Sequence, residues 1–296
     1  MVEKFDLKLE PKLLKVVDAL GYELRQPPPP YSRFEAAGEG VRITLYESGK
    51  LVIQGKRADE VRAELAAFEL LGAAAAAAAA KAPAGALIGT DEAGKGDYFG
   101  PLVAAAVHVD ERRWAELREL GVRDSKTIAD AVVKKLALEV KRRCPWDVVA
   151  IGPAKYNELY EGKFRNVNKL LAWAHARAIE NLLERCPDCP RVLTDQFASD
   201  VNVVKSALLE RGRKVVYEQR PRAEEETAVA AASIVARAEF LEKLSDLSDR
   251  FGILLEKGAS ARVEACARAF VAKWGRERLG EVAKLHFQTT ARVLAP

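Results

Sequence analysis

Two adjacent carboxylates, Asp91 and Glu92, follow an apolar run and lead into a loop with glycines at 94, 96 and 100. Neighbouring carboxylates repel unless a cation or water neutralises them, and hard divalent ions such as Mg²⁺ take carboxylate oxygens together with phosphate oxygens. A solvated loop with two surface acids is the plainer alternative. Against it stands Asp195, which ends a second apolar run at 191–194, so that two strands each deliver a carboxylate where sheet proteins gather ligands. Gly94 and Gly96 let the backbone approach a ligand closely. Gly89, Gly94 and Lys95 also match the Gly-x-x-x-x-Gly-Lys spacing of a nucleotide loop. However, Gly96 stands where a Ser or Thr should hold Mg²⁺, and two acids fall inside a cradle meant for phosphates, so a phosphate-loop NTPase is only the remote alternative.

The elements that must position these groups follow from periodicity. Apolar runs at 86–90, 102–109, 148–151, 192–194 and 215–217 predict strands, and helical spacing marks 168–185, 202–211 and an Ala-rich 227–247. Two hairpin-linked strands followed by crossovers imply an α/β domain with a mixed sheet covered by helices. Ahead of it, 11–20 and 58–71 read as helices, and 41–46 and 51–55 as a hairpin turning through Glu47-Ser48-Gly49-Lys50. Ser48-Gly49-Lys50-Leu51 and Gln54-Gly55 give this part a resemblance to one half of the TATA-binding-protein fold. Between the two parts lies the run Ala73 to Ala80, followed by Lys81-Ala82-Pro83-Ala84-Gly85. It has high helix propensity but no surface that specifies a packing partner. The expected organisation is a small domain at 1–71, a linker at 72–85 and a larger domain at 86–296.

Across the larger part, the stretch Gly89-Thr90-Asp91-Glu92-Ala93-Gly94-Lys95-Gly96-Asp97-Tyr98-Phe99-Gly100-Pro101 resembles the first motif of type 3 ribonucleases H. Asp97-Tyr98-Phe99 separates that motif from the related type 2 enzymes. Asp124-Ser125-Lys126, Lys155 to Tyr160 with Asn166 and Asn168, Leu170 to His175, Thr194-Asp195-Gln196-Phe197, Ala230 to Arg237 and Lys284-Leu285-His286-Phe287 continue the likeness in order over nearly the whole chain.

The resemblance implies a ribonuclease H-like mixed five-stranded sheet with flanking helices, joined to a small α+β TATA-binding-protein-like domain. It implies hydrolysis of the RNA strand of RNA–DNA hybrids with two Mg²⁺ or Mn²⁺ ions, leaving 5′-phosphate and 3′-hydroxyl ends. Asp91, Glu92 and Asp195 become three of four catalytic, metal-holding carboxylates. The fourth falls in Ala223-Glu224-Glu225-Glu226, one residue shorter than the family pattern, with Glu224 the first choice and Glu225 the second. Gly94, Lys95 and Gly96 are placed to read the 2′-hydroxyl and a phosphate. Ser125, Lys126, Tyr156, Asn166 and Asn168 are expected on the substrate backbone. His286 is a candidate for assisting proton transfer or product release, His175 for a core or supporting role, and His108 for a structural one. A non-catalytic hybrid-binding protein is the main alternative.

Composition sets looser bounds. There are 47 basic and 43 acidic residues, a net +4 that does not by itself announce a polyanionic partner. The first 70 residues carry −1, so the small domain is expected to grip a duplex through polar and apolar contacts, Lys50 and Gln54 among them, rather than by charge alone. No apolar run is long enough to span a membrane and no secretory segment is evident, which points to a cytoplasmic protein, expected to be monomeric with no obligate protein partner. Cys186 and Cys189 form a Cys-x-x-Cys without a second pair, and Pro187 and Pro190 make it a turn rather than a zinc site.

Overall fold

A computed structural model describes residues 2–295 apart from 20, 39, 56, 59, 60, 63, 64, 66–84, 124, 126, 127, 199 and 201. It divides into two compact units, Met1–Lys81 and Ala82–Pro296. The expected linker at 72–85 falls almost wholly outside the described residues, as does much of the expected helix at 58–71.

In the first unit, β1 (Val2–Lys4), β2 (Glu23–Leu24), β3 (Ser32–Gly38), β4 (Val41–Tyr46) and β5 (Lys50–Gly55) form an antiparallel sheet of order β1-β5-β4-β3-β2. Strand alternation sorts its two faces. Ile43, Leu45, Leu51 and Ile53 point into a core with Leu13, Val16 and Val17 of helix α1 (Glu10–Ala19), which Val61 and Leu65 also join. The opposite face is polar. Gln54 lies across from Arg42, and the buried carboxylate of Glu35 accepts from Arg25 and from the Thr44 hydroxyl. Sequence periodicity revealed only β4 and β5 of these five strands. β3 offers only Phe34 and Ala36 to the core, too short an apolar alternation to mark a strand, and its partners become visible only in the fold.

The second unit contains β6 (Leu87–Ala93), β7 (Leu102–Val109), β8 (Trp146–Ile151), β9 (Arg191–Asp195) and β10 (Val216–Arg220) in the order β10-β9-β6-β7-β8. The contacts β6–β7 and β7–β8 are antiparallel, while β6–β9 and β9–β10 are parallel, so this is the expected mixed five-stranded sheet. Helices α2 (Glu111–Glu119), α3 (Asp130–Arg143), α4 (Pro153–Leu159), α5 (Val167–Arg185), α6 (Val203–Ala207), α7 (Thr227–Phe251), α8 (Ala261–Trp274) and α9 (Gln288–Leu294) accompany it. Among the described residues no helix is long and apolar enough to cross a membrane.

The central helices sit on opposite faces. Leu87 and Leu193 share a core with α7, whereas Ile88 and Val192 share one with α5. Odd-numbered positions of β6 therefore face α7 and even-numbered ones face α5. Gly89 takes the odd face, and α7 presses so closely there that a Cβ would stand 2.1 Å from the Ala228 carbonyl carbon.

One expected helix is shorter than its pattern. Residues 202–211 form only α6, because the buried Glu180 carboxylate accepts from the backbone N–H groups of Leu209, Arg211 and Gly212 at 2.8, 3.1 and 2.8 Å. A side chain from α5 thus replaces the carbonyls that a continuing helix would have supplied. The cysteines are free thiols, and Cys189 donates to the Arg191 carbonyl at 3.3 Å.

Candidate active site

β6 continues through Asp91 and Glu92 instead of stopping before them, so the two adjacent acids leave opposite faces of the sheet. Asp91 takes the α7 side, where Ser233 hydrogen-bonds to it and its Oδ1 accepts from the Glu92 backbone N–H at 2.8 Å. Glu92 takes the α5 side, where its Oε2 lies 3.2 Å from His175 Nε2. Thr90 is opposite Thr194 in the parallel β6–β9 register, and the next step along both strands sets Asp195 beside Asp91 on the α7 side.

Asp195 in turn reaches the start of α7. Its Oδ1 accepts from the Ala223 N–H at 2.9 Å, which ties it to the short turn Ala223–Glu225. The three candidate glutamates now differ. Glu226 caps the N-terminus of α7 with its own carboxylate, Glu225 is exposed, and Glu224 is half-buried with its Oε2 out of solvent.

Burial pushes the Asp91 carboxyl up to about 8, and the charges of Glu92 and, more weakly, Asp195 push the same way against the hydrogen bonds from Ser233 and the Glu92 N–H. No cation is among these influences. A buried acid that two further acids raise and only neutral donors lower is the electrostatic environment a divalent cation would relieve, and the all-oxygen donor set suits Mg²⁺ or Mn²⁺. Even so, among the described residues no three His, Cys, Asp or Glu groups are drawn together as an ion's ligand shell. Each acid is instead turned onto a protein donor: Asp91 onto Ser233, Glu92 onto His175 and Asp195 onto the Ala223 N–H.

The substrate-facing expectations fare unevenly. Gly94 has φ +86°, and a Cβ there would meet the Pro101 carbonyl oxygen at 2.1 Å, so the protein's own packing already demands a glycine. Gly96 has open space and remains the position where a strand can come close. Lys95 donates to the Phe197 carbonyl at 2.6 Å and lies over that ring, which fastens the glycine loop to the segment after Asp195.

Ser125 is not a surface phosphate contact. It is buried, with its hydroxyl 2.7 Å from that of Ser233, and so stands behind Asp91. Tyr156 is likewise buried, and its hydroxyl has no hydrogen-bond partner among the described residues, so it cannot reach a duplex as placed. Asn166 is exposed but caps α5 by accepting from the Lys169 N–H at 3.1 Å, and Asn168 is half-exposed in the first turn. Lys126 and Asp124 lie outside the described residues. His286 stacks on Tyr160 at 4.6 Å and on Tyr156 at 5.4 Å, and burial, helped by the Lys284 charge, lowers its pKa. Among the described residues no hydrogen bond or ion pair joins it to Asp91, Glu92 or Asp195.

Lys284 and Ser233 lie inside the family-like motifs, and their roles appear only in the fold. Lys284 is fully buried, and its ammonium donates to the carbonyls of Asp97 and Gly100 at 2.7 and 2.8 Å, bracing the loop that follows the acids. A lysine inside an otherwise apolar stretch at 282–285 was the available signal. The phosphate-loop alternative is removed outright, because Gly89 to Ala93 is strand, paired with β7 throughout and with β9 at Gly89 and Thr90, and leaves no loop to cradle a phosphate.

The family model described as Ribonuclease HII matches residues 88–290, and a domain of unknown function matches 7–70. The ribonuclease HIII of Protochlamydia amoebophila is 42% identical over 99% of this chain and 96% of its own length. That of Chlamydia trachomatis serovar D is 36% identical over 99% and 98%. Among solved structures, Bst-RNase HIII in complex with Mn²⁺ superposes with a TM-score of 0.68 at 32% identity, covering 99% of this chain and 97% of the other. Aquifex aeolicus RNase H3 does so with a TM-score of 0.55 at 29% identity, covering 96% and 99%. With matches of this length to both halves of the molecule, the chain belongs to the ribonuclease HIII family.

Proposed function

We propose that the protein is an endoribonuclease that hydrolyses the RNA strand of RNA–DNA hybrids, leaving 5′-phosphate and 3′-hydroxyl ends. The observation that carries the reading is the convergence of β6, β9 and the Ala223–Glu225 turn, which brings Asp91, Glu92, Asp195 and Glu224 to one end of the sheet. Bound Mg²⁺ or Mn²⁺ supplies an activated water and charge stabilisation for the leaving oxygen. The chain's own contribution is to hold the acids. Asp91 and Asp195 are the central ligands, Glu92 and Glu224 flank them, and Gly96 admits the ribose strand close to the backbone, where a 2′-hydroxyl can be read. Cleavage of a labelled hybrid that needs Mg²⁺ or Mn²⁺ and stops with chelator supports this. Hybrid binding without cleavage under either ion would leave the non-catalytic alternative instead.

The fourth carboxylate can be assigned by separate Gln replacements. Glu224→Gln is expected to lower the rate at least ~100-fold, the scale of losing a group that holds transition-state charge. Glu225→Gln and Glu226→Gln should stay near the parent, and equal small losses in all three would place the fourth ligand elsewhere.

In the first unit, the polar sheet face with Arg42, Lys50 and Gln54 is a substrate clamp tethered to the catalytic unit, so that binding by one unit raises the effective concentration of the duplex at the other. Deleting residues 1–80 is expected to raise KM for hybrid by ~10- to 100-fold with a smaller effect on kcat, read from initial rates. An unchanged KM removes the clamp.

A further inference from the structure

Behind Glu92 lies the fully buried ring of His175, with Nε2 3.2 Å from Glu92 Oε2 and Nδ1 3.0 Å from Thr90 Oγ1. Thr90 and Glu92 are two residues apart on β6, so a single imidazole from α5 spans both side chains on that face. The chain of contacts continues away from the site. Thr90 Oγ1 is 2.8 Å from Thr194 Oγ1 on β9, and the Thr194 hydroxyl meets that of Tyr217 on β10. The ring of Phe197 lies parallel to the imidazole at 5.1 Å and 8°, and the Phe197 carbonyl is held by Lys95. An imidazole with both nitrogens engaged and one face covered cannot turn. Because a carboxylate oxygen only accepts, the group facing Glu92 must be Nε2–H.

We propose that His175 is a positioning residue for metal binding: it fixes Oε2 of Glu92 and so leaves Oε1 for a divalent cation. This rests on the reading of Glu92 as a metal ligand. A glutamate has three rotatable bonds to immobilise before it can bind an ion, and a buried partner on its second oxygen meets that cost when the protein folds. Such outer partners are typically worth 10- to 100-fold in metal affinity. Packing alone is the competing explanation of a buried histidine, and the two nitrogens separate the cases. Glutamine carries its amide nitrogen to about the place of Nε2 and keeps the donor to Glu92, whereas asparagine reaches only to the place of Nδ1, keeps the Thr90 contact and loses Glu92.

The test is Mn²⁺ binding by calorimetry on the full chain for the parent, His175→Asn, His175→Gln and Glu92→Gln, with a thermal melt of each. His175→Asn is expected to bind Mn²⁺ about 10- to 100-fold more weakly, while His175→Gln stays close to the parent. Equal losses in both, following their melting temperatures, overturn the proposal in favour of packing. If Glu92→Gln weakens binding but a folded His175→Asn does not, the metal reading stands and the positioning role fails. If Glu92→Gln binds like the parent, the reading beneath both is wrong. A measurement on the parent covers the case where the Asn variant does not fold. The Nε2 resonance of His175, one of three histidines, is expected to shift as Mg²⁺ binds, and an unmoved resonance at saturation overturns the proposal.

Discussion

Asp91→Asn is expected to lower hybrid cleavage by about 10³-fold or more, equivalent to roughly 4 kcal/mol of transition-state stabilisation, while hybrid binding stays within a few-fold of the parent. The amide keeps the shape of the side chain and can still meet Ser233 and the Glu92 N–H. What it loses is the charge that holds an ion. Single-turnover rates with Mg²⁺ and a binding titration with chelator separate the two effects, and a variant that cuts normally refutes the assignment of this residue.

The same substitution carries a stability signature in chelator. Burial and the neighbouring acids raise the Asp91 carboxyl to about 8, above its ordinary 3.8. Between these values the folded protein binds more protons than the unfolded chain, so stability falls as pH rises through this window and the penalty is complete above about 8. Relative to Asp91→Asn, the metal-free parent should therefore lose melting temperature as pH rises from about 5 to 8, a difference that cancels the opposite trend shared by both proteins from buried Lys284, which is lowered to about 7. Mg²⁺ or Mn²⁺ should stabilise the parent most at the alkaline end. Parallel pH profiles for the two proteins would mean that Asp91 is not the group responsible.

Gly89→Ala is expected to be among the most damaging single methyls in the catalytic unit. The added Cβ would meet the Ala228 carbonyl carbon at 2.1 Å and the Val229 nitrogen at 2.3 Å, both backbone atoms of the helix that covers the central strand. Neither can swing aside as a side-chain tip would. The strand cannot retreat either, because β7 and β9 pair with it on both edges. Moving α7 away would open the core around Ala231, Ile234 and Val235. A loss of about 3 kcal/mol or more follows, which for a unit of this size lowers the melting temperature by roughly 6–12 °C. Denaturant unfolding with an unchanged m-value measures it, and a loss under 1 kcal/mol would show that the helix start yields. Activity should fall further than stability, since the displaced turn also carries Ala223, the donor to Asp195.

Much of this site was legible because its groups are local in sequence or sit at the ends of strongly apolar strands. Asp91, Glu92 and Asp195 stood out for that reason, and the mixed sheet followed from the alternation of strand and helix patterns. The hidden part is what depends on distant pairings. Ser125 and Tyr156 look like polar surface groups in a linear reading, yet one hydroxyl faces Ser233 more than a hundred residues away and the other side chain fills a core with Leu102 and Ile151. Lys284 resembled any charged residue until its three backbone acceptors, nearly two hundred positions earlier, came into view. The shortened helix after Asn202 had the same cause, a carboxylate on α5 that no window around residue 205 contains.

The strand pleat that sends Asp91 one way and Glu92 the other has a consequence for how such a centre can diverge. Substitutions along α7 reach one carboxylate of the adjacent pair, and substitutions along α5 reach the other, so ion preference and turnover can be adjusted from separate handles without disturbing the chain that joins them. A selection for altered metal use should accordingly yield two groups of changes, one on each helix, whose effects couple where the two acids meet at a shared ion and add only where they lie far from it.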